Sequence, residues 1–349
     1  MKDYYSYNIS LGELIAGNFN KDFIWSYYHL TAIDSNGFCI VPKKYYLQNL
    51  KLENYKFVID FSTCLLFYEL SKNLDLKFGN FIVPNSFIKI IDNQIFHEKH
   101  DPKSNLSISI ENGKVVPHFL PEDFKEKRLV FLEDLKEWCL KHVETQIPEE
   151  KLDLIRALRE KKEISGFIEF YVDNVTLANR ENCIMLSDDS FYFKFVNPQD
   201  GKIISSEYFL NYFFTSNQKE IYEYLLRKKY VGLTLDLNIL STAYFNQFKS
   251  NQQYVFNVAL LNLALKINYI PQNVNLIFSF LKELALKGTI SDEKYLIDAT
   301  NLVFHLLSSF PSLEPALLLT DLIQKEFFLL PKHLLITLKA TTDALKILN

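Results

Sequence analysis

Residues 57–90 read FVIDFSTCLLFYELSKNLDLKFGNFIVPNSFIKI. Phe57, Val58 and Ile59 form a short apolar run that stops at an acid, Asp60, which is the pattern of a buried strand. Leu65, Leu66, Tyr68 and Leu70 then recur at helical spacing as far as Leu74. Phe81, Ile82 and Val83 predict a second strand. Pro84 stops it, and Ser86 is placed to cap the helix that follows. Strand, helix, strand, helix in that order predicts a parallel sheet with helices packed on it.

Downstream, residues 106–116 alternate apolar and polar around Asn112-Gly113, the signature of a hairpin turn. An amphipathic helix is expected over 121–143, a charged helix over 149–162 and another over 164–179. Residues 183–190 read CIMLSDDS, a further buried strand running into Asp188 and Asp189. From 205 onward the spacing is helical, with a possible strand at 230–235. Broad apolar stripes cover 225–240, 255–266, 274–286, 292–309, 313–329 and 332–348, and Pro271, Gly288, Pro311 and Pro331 punctuate them. The expected organisation is an N-terminal extension (1–54), an α/β domain (55–204) and an all-α C-terminal domain (205–349).

The chain has 349 residues, 48% of them hydrophobic, and a net charge of −4, which argues against a generally basic nucleic-acid binder. Cys39, Cys64, Cys139 and Cys183 lie far apart with no CxxC pair, so free thiols in a reducing compartment are expected. There is no signal-peptide pattern and no uncharged apolar run of spanning length, so the expectation is a cytoplasmic protein without a membrane span. With nine glycines there is little scope for a Gly-rich phosphate loop.

The chemistry sits at the strand ends. In open α/β sheets, sites form outside the carboxyl ends of the strands. Asp60 ends one expected strand, Asp188 and Asp189 end another, and Asp173 lies on the helix before the second. Carboxylates gathered in a partly dry site repel one another, and a divalent cation such as Mg²⁺ or Mn²⁺ offsets that repulsion. Such an ion can activate water for phosphodiester cleavage. Turn-forming aspartates without a shared site are the competing reading.

The ordered segments VIDFSTCLLFYEL, FGNFIVPNSFIKII, DNVTLANRENCIMLSDDS and ISSEYFLNYFF resemble PIN domains, in particular a bacterial subgroup in which the PIN domain accompanies helical repeats. Asp60, Pro84, Ser86, Asp173, Leu177, Ala178, Ser187, Asp188 and Asp189 carry the resemblance, which spans roughly residues 55 to 240. It implies a PIN-like parallel sheet flanked by helices and a metal-dependent ribonuclease acting on single-stranded RNA. It further implies Mg²⁺ or Mn²⁺ at Asp60, Asp173 and Asp188, with Asp189 or Glu169 assisting. One departure stands out. The family's second acid falls near Lys89 or Ile90, neither of which is acidic, and Asp92 comes two or three residues late. Lys89 beside Asp60 would neutralise the site without a metal. The alternative is therefore a catalytically inactive PIN-like scaffold that works through its helical domain.

Lys151, Arg156, Arg159, Lys161 and Lys162 are candidates for phosphate contact, with a solvated helix face as the other reading, since Glu149, Glu150, Asp153 and Glu160 are interspersed. His97 and His100 are expected on an exposed loop rather than on a metal. Phe191, Tyr192, Phe193 and Phe195 are expected to pack in the core or to stack on bases. The Leu-rich C-terminal helices could carry a groove for a protein partner or a second copy.

Overall fold

The computed structural model describes Ile24 and residues 51–100, 106–111, 114–119, 123–148, 166–189, 191–192, 195–196, 202–230, 232–248, 253–265, 270–308 and 313–348. The described residues fall into two compact units that part between Phe209 and Leu210.

Unit 1 is built on a five-stranded sheet. Its strands are β1 (Lys56–Ile59), β2 (Phe81–Pro84), β5 (Val143–Gln146), β6 (Cys183–Leu186) and β7 (Ile203–Ile204), in the spatial order β5-β2-β1-β6-β7. Every neighbouring pair is parallel. β2 and β6 are buried at all four positions, and β1 at all but Lys56. Strands covered on both faces read as continuous apolar runs, which is why these three were legible. Asn80 and Asn182, just before β2 and β6, take positive φ, a conformation that asparagine tolerates well. Their carbonyls accept the Phe57 and Lys56 N–H groups, fixing the register of β1.

The helices of unit 1 are α1 (Phe61–Leu74), α2 (Asn85–His100), α3 (Phe124–His142), α4 (Gly166–Ala178) and the start of α5 (Ser206–Phe213). β3 (Leu106–Glu111) and β4 (Lys114–Phe119) form the expected antiparallel hairpin, with Ile110 opposite Val115. Two aromatic groups hold the layers. Phe67 on α1 stacks on Phe78 and Phe81 and meets Phe209, with centroids 4.7, 5.1 and 5.3 Å away. Phe61, Phe87 and Phe170 tie α1, α2 and α4 together. Cys64, Cys139 and Cys183 are buried free thiols.

Unit 2 is helical: the remainder of α5, then α6 (Gln218–Arg227), α7 (Leu237–Asn246), α8 (Gln253–Leu265), α9 (Ile270–Lys287), α10 (Asp292–Ser308), α11 (Glu314–Glu326) and α12 (Pro331–Leu348). From α6 onward each helix packs on the next but one: α6, α8, α10 and α12 form one layer, and α7, α9 and α11 the other. This is the two-layer stacking of a solenoid. No described helix is long and apolar enough to cross a membrane.

Several expectations are corrected. The helix expected over 121–143 starts at Phe124 and ends at His142. Val143 instead opens edge strand β5, whose Glu144 and Thr145 are exposed. Among the described residues no strand forms at 230–235, and the apolar stripe over 225–240 covers the end of α6 at Arg227, a link and the start of α7 at Leu237 rather than one regular element. Lys229 and Gly232 take positive φ there, and Asp236 caps α7. Buried Asn262 holds this link, accepting from Leu233 N–H at 2.6 Å and donating to the Tyr230 carbonyl at 3.0 Å. Burial of Leu233 and Leu235 explains the apolar pattern that looked like a regular element. His97 and His100 lie exposed on the last turn of α2, not on a loop. The expected helix over 149–162 lies outside the described residues.

Candidate functional site

The chain runs outward from β1 through β2 to β5 and then crosses to β6 on the other side of β1. The crevice at that reversal, outside the carboxyl ends of β1 and β6, is where such sheets place ligands. Asp60 follows β1 directly, and Ser187-Asp188-Asp189 follows β6.

Asp60 is 2% exposed and is the N-cap of α1. Its Oδ1 accepts the Thr63 N–H at 2.8 Å and the Ser62 hydroxyl at 2.9 Å. Its Oδ2 accepts the Ser187 hydroxyl. Three donors favour the charged form, yet burial outweighs them and pushes the carboxyl above the ordinary range.

Asp188 is likewise 2% exposed, and its Oδ1 accepts the Ser206 N–H at 3.0 Å from the first turn of α5. Burial pushes its pKa up to about 7. That hydrogen bond opposes the shift, and the charges of Asp60 and Glu207 add to it. Asp60 and Asp188 therefore lie within electrostatic reach of one another. Asp189 faces elsewhere: its Oδ2 accepts the Tyr171 hydroxyl at 2.9 Å from α4, and its Oδ1 the Phe191 N–H at 3.0 Å. The adjacent acids after β6 thus divide, Asp188 towards α5 and Asp60, Asp189 towards α4 and its own loop.

Asp173 is 2% exposed on α4, which packs over β1 and β2. The Ser86 hydroxyl donates to its Oδ2 at 2.6 Å. Ser86 lies inside the first turn of α2, so its hydroxyl ties α2 to Asp173 rather than capping its own helix. Glu169 is half-buried one turn before Asp173. The sequence pattern missed Glu207, buried on α5 beside Asp188. Its only signal was a short Ser-Ser-Glu run directly after the two-residue strand β7.

α2 contributes no acid to this crevice. Lys89 is exposed, so no ammonium group from it fills the acidic site. Asp92 pairs with Lys136 of α3 at 2.6 Å. Among the described residues, no ion pair involves Asp60 or Asp188.

These groups can be tested against a divalent ion. Asn174 Oδ1, next to Asp173, is buried without a hydrogen-bond partner. Thr63 Oγ1 and Ser206 Oγ lie beside Asp60 and Asp188 without completing a hydrogen bond to them. Among the described residues, no three His, Cys, Asp or Glu side chains are grouped closely enough to hold an ion alone. Mg²⁺ does not require such a group: it keeps several waters and is commonly bound through one or two carboxylates and its substrate's phosphates. Two buried carboxylates without a basic partner among the described residues, with the hydroxyls of Thr63, Ser187 and Ser206 beside them, fit that mode.

Around the site, Tyr192 is fully buried and its hydroxyl accepts from Asn174 Nδ2 at 2.8 Å, which makes it a core residue. Phe191 packs on Tyr171, and Phe195 is exposed. Phe193 lies outside the described residues, as do Lys151, Arg156, Arg159, Lys161 and Lys162.

A family model described as the PIN domain associated with the TPR-GreAB-C-PIN system matches residues 58–197. No curated protein and no solved structure matches the chain.

Proposed function

We propose, from the premise that residues 58–197 form a PIN domain, that unit 1 is a metal-dependent ribonuclease acting on single-stranded RNA. The observation that carries this reading is the pairing of two buried carboxylates, Asp60 and Asp188, at the sheet's reversal, with no basic partner among the described residues. Asp60 and Asp188 would hold one Mg²⁺ or Mn²⁺. Asp173, oriented by Ser86, would position water on the ion, Glu207 would deepen the negative potential, and Asp189 or Glu169 would assist from α4 and its neighbouring loop. When bound, the ion supplies a polarised phosphate and an activated water. Lys151, Arg156, Arg159, Lys161 and Lys162 are proposed as phosphate contacts. The family description places its PIN domain in a system with TPR, and we assign partner engagement to the helical unit 2.

A second reading has its own observation: α2 offers no acid, and both oxygens of Asp60 already accept hydrogen bonds. In that reading the fold is a silent scaffold. The two are separated by incubating a labelled single-stranded RNA with the purified chain in Mn²⁺ or in EDTA. Cleavage is expected only with Mn²⁺, to fall at least about tenfold in Asp60→Asn and to remain within about twofold of wild type in Asp92→Asn, since loss of even a group that only orients a metal's ligands costs about 10–100-fold. Asparagine keeps the N-cap of α1, so that loss would not come from unfolding. Absence of Mn²⁺-dependent cleavage, or activity that survives Asp60→Asn, would favour the scaffold.

A further inference from the structure

The two ends of the helical stack differ. α6 turns Lys219, Glu220 and Arg227 outward, away from its buried Ile221, Leu225 and Leu226. That is a polar cap, which a solenoid needs at each end because a repeat cannot bury its own outer face. The α11-α12 pair lacks one. α11 faces α9 through Glu326, which pairs with Lys282 at 2.8 Å, and Leu317 stands on the opposite side of that helix, one turn from Leu313. α12 faces α10 through Thr337, whose hydroxyl meets that of Tyr295 at 3.0 Å, and Leu335 stands on its opposite side. Phe328 and Leu329 lie in the turn between the two helices. These five side chains are each between 64% and 76% exposed.

The area, the charges and the far end of the stack together say what covers this face. Its five large side chains leave on the order of 600 Å² of apolar surface open, more than a lone monomer usually shows and near the about 800 Å² that each partner of a standard interface buries. Its charges are matched within it: Asp321 pairs with Lys325 at 2.6 Å and Asp343 with Lys346 at 3.5 Å, and Lys332 pairs with Asp292. Glu314 and Lys339 add one charge of each sign. A two-fold contact sets a patch against its own image, so a patch without net charge accepts it without repulsion. A second copy also brings a helix pair, the shape that α11 and α12 already accept from α9 and α10. Head-to-tail stacking would instead press the apolar end onto the charged surface of α6.

We infer that two copies of this chain pair through their α11-α12 ends, about a two-fold axis, into a closed dimer. This goes beyond the ribonuclease reading and holds whether or not unit 1 cleaves RNA.

Sedimentation of the full chain between about 1 and 100 µM is expected to show the mass move from one chain of 41.0 kDa to two, and no further. The dimer should persist in about 0.5 M salt, because apolar contacts are not screened. Leu317→Glu and Leu335→Glu each bury an unpaired charge in the contact and are each expected to weaken dimerisation at least about tenfold. Helical circular dichroism should be unchanged in both, since each position is exposed in the single chain. Leu261→Glu, on an exposed position of α8, should leave the dimer intact. A chain that stays monomeric throughout, a mass that climbs past two copies, or a dimer that dissolves in salt would overturn the proposal. So would a dimer that survives both end-face variants, or one that only Leu261→Glu disrupts.

Discussion

Asp188→Asn is expected to make the metal-free protein more stable at pH 8, while removing Mn²⁺-dependent cleavage. The carboxyl of Asp188 is raised from its ordinary value of 3.8 to about 7, chiefly by burial. Below about pH 4 it is protonated in both folded and unfolded chains and costs nothing. As pH rises from there to about 7, the unfolded chain ionises freely and the folded one does not. Stability is lost across that window, and the full penalty, on the order of a few kcal/mol, applies above it. The amide carries no charge, and its oxygen still accepts the Ser206 N–H. For a unit of this size such a gain corresponds to roughly 5–10 °C in Tm. Scanning calorimetry in EDTA at pH 5 and pH 8 checks it: wild type should lose stability between the two values, and the variant should lose clearly less. A variant less stable than wild type at pH 8 would mean that Asp188 is charged and satisfied without a metal. A functional site commonly costs stability in this way, because the groups it needs are unfavourable in isolation.

Phe67→Ala carries the second large effect. Phe67 is fully buried where α1 meets β2 and α5, in contact with Phe78, Phe81 and Phe209. Removing the ring leaves a cavity under three other aromatic residues that cannot all collapse into it. The expected cost is about 3–5 kcal/mol. Urea denaturation should show the midpoint falling with little change in slope. Phe67→Leu keeps much of the volume and should cost less than half as much. A loss below about 1 kcal/mol for alanine would mean that α1 is not anchored through this cluster.

What could be read from the sequence follows from burial. β1, β2 and β6 are covered on both faces, so their apolar runs are unbroken and end visibly at Asp60, Pro84 and Ser187. β5 was hidden because it is an edge strand with exposed Glu144 and Thr145, entered straight from α3. β7 has two residues, too few for any period to show. Among the acids, Asp60 and Asp188 were legible from their places at strand ends. The hydrogen bonds that Ser62 and Ser187 donate to Asp60 were not, because a hydroxyl signals nothing by spacing alone and acquires its role only from the partner the fold sets opposite it. The division of Asp188 from Asp189 was also hidden: it depends on Tyr171 reaching across from α4. Lys89 looked able to neutralise the site because sequence distance from Pro84 does not say which way a helix turns its side chains.

The central claim is that Asp60 and Asp188 form a buried, negatively charged place that a divalent ion fills. Isothermal titration of Mn²⁺ into the RNA-free chain at pH 8 tests it most directly. One site is expected in wild type, abolished in Asp188→Asn and in Asp60→Asn, with proton release on binding that grows as pH is lowered towards 7. Heat of binding indistinguishable between wild type and both variants, or no binding at millimolar Mn²⁺, would contradict it.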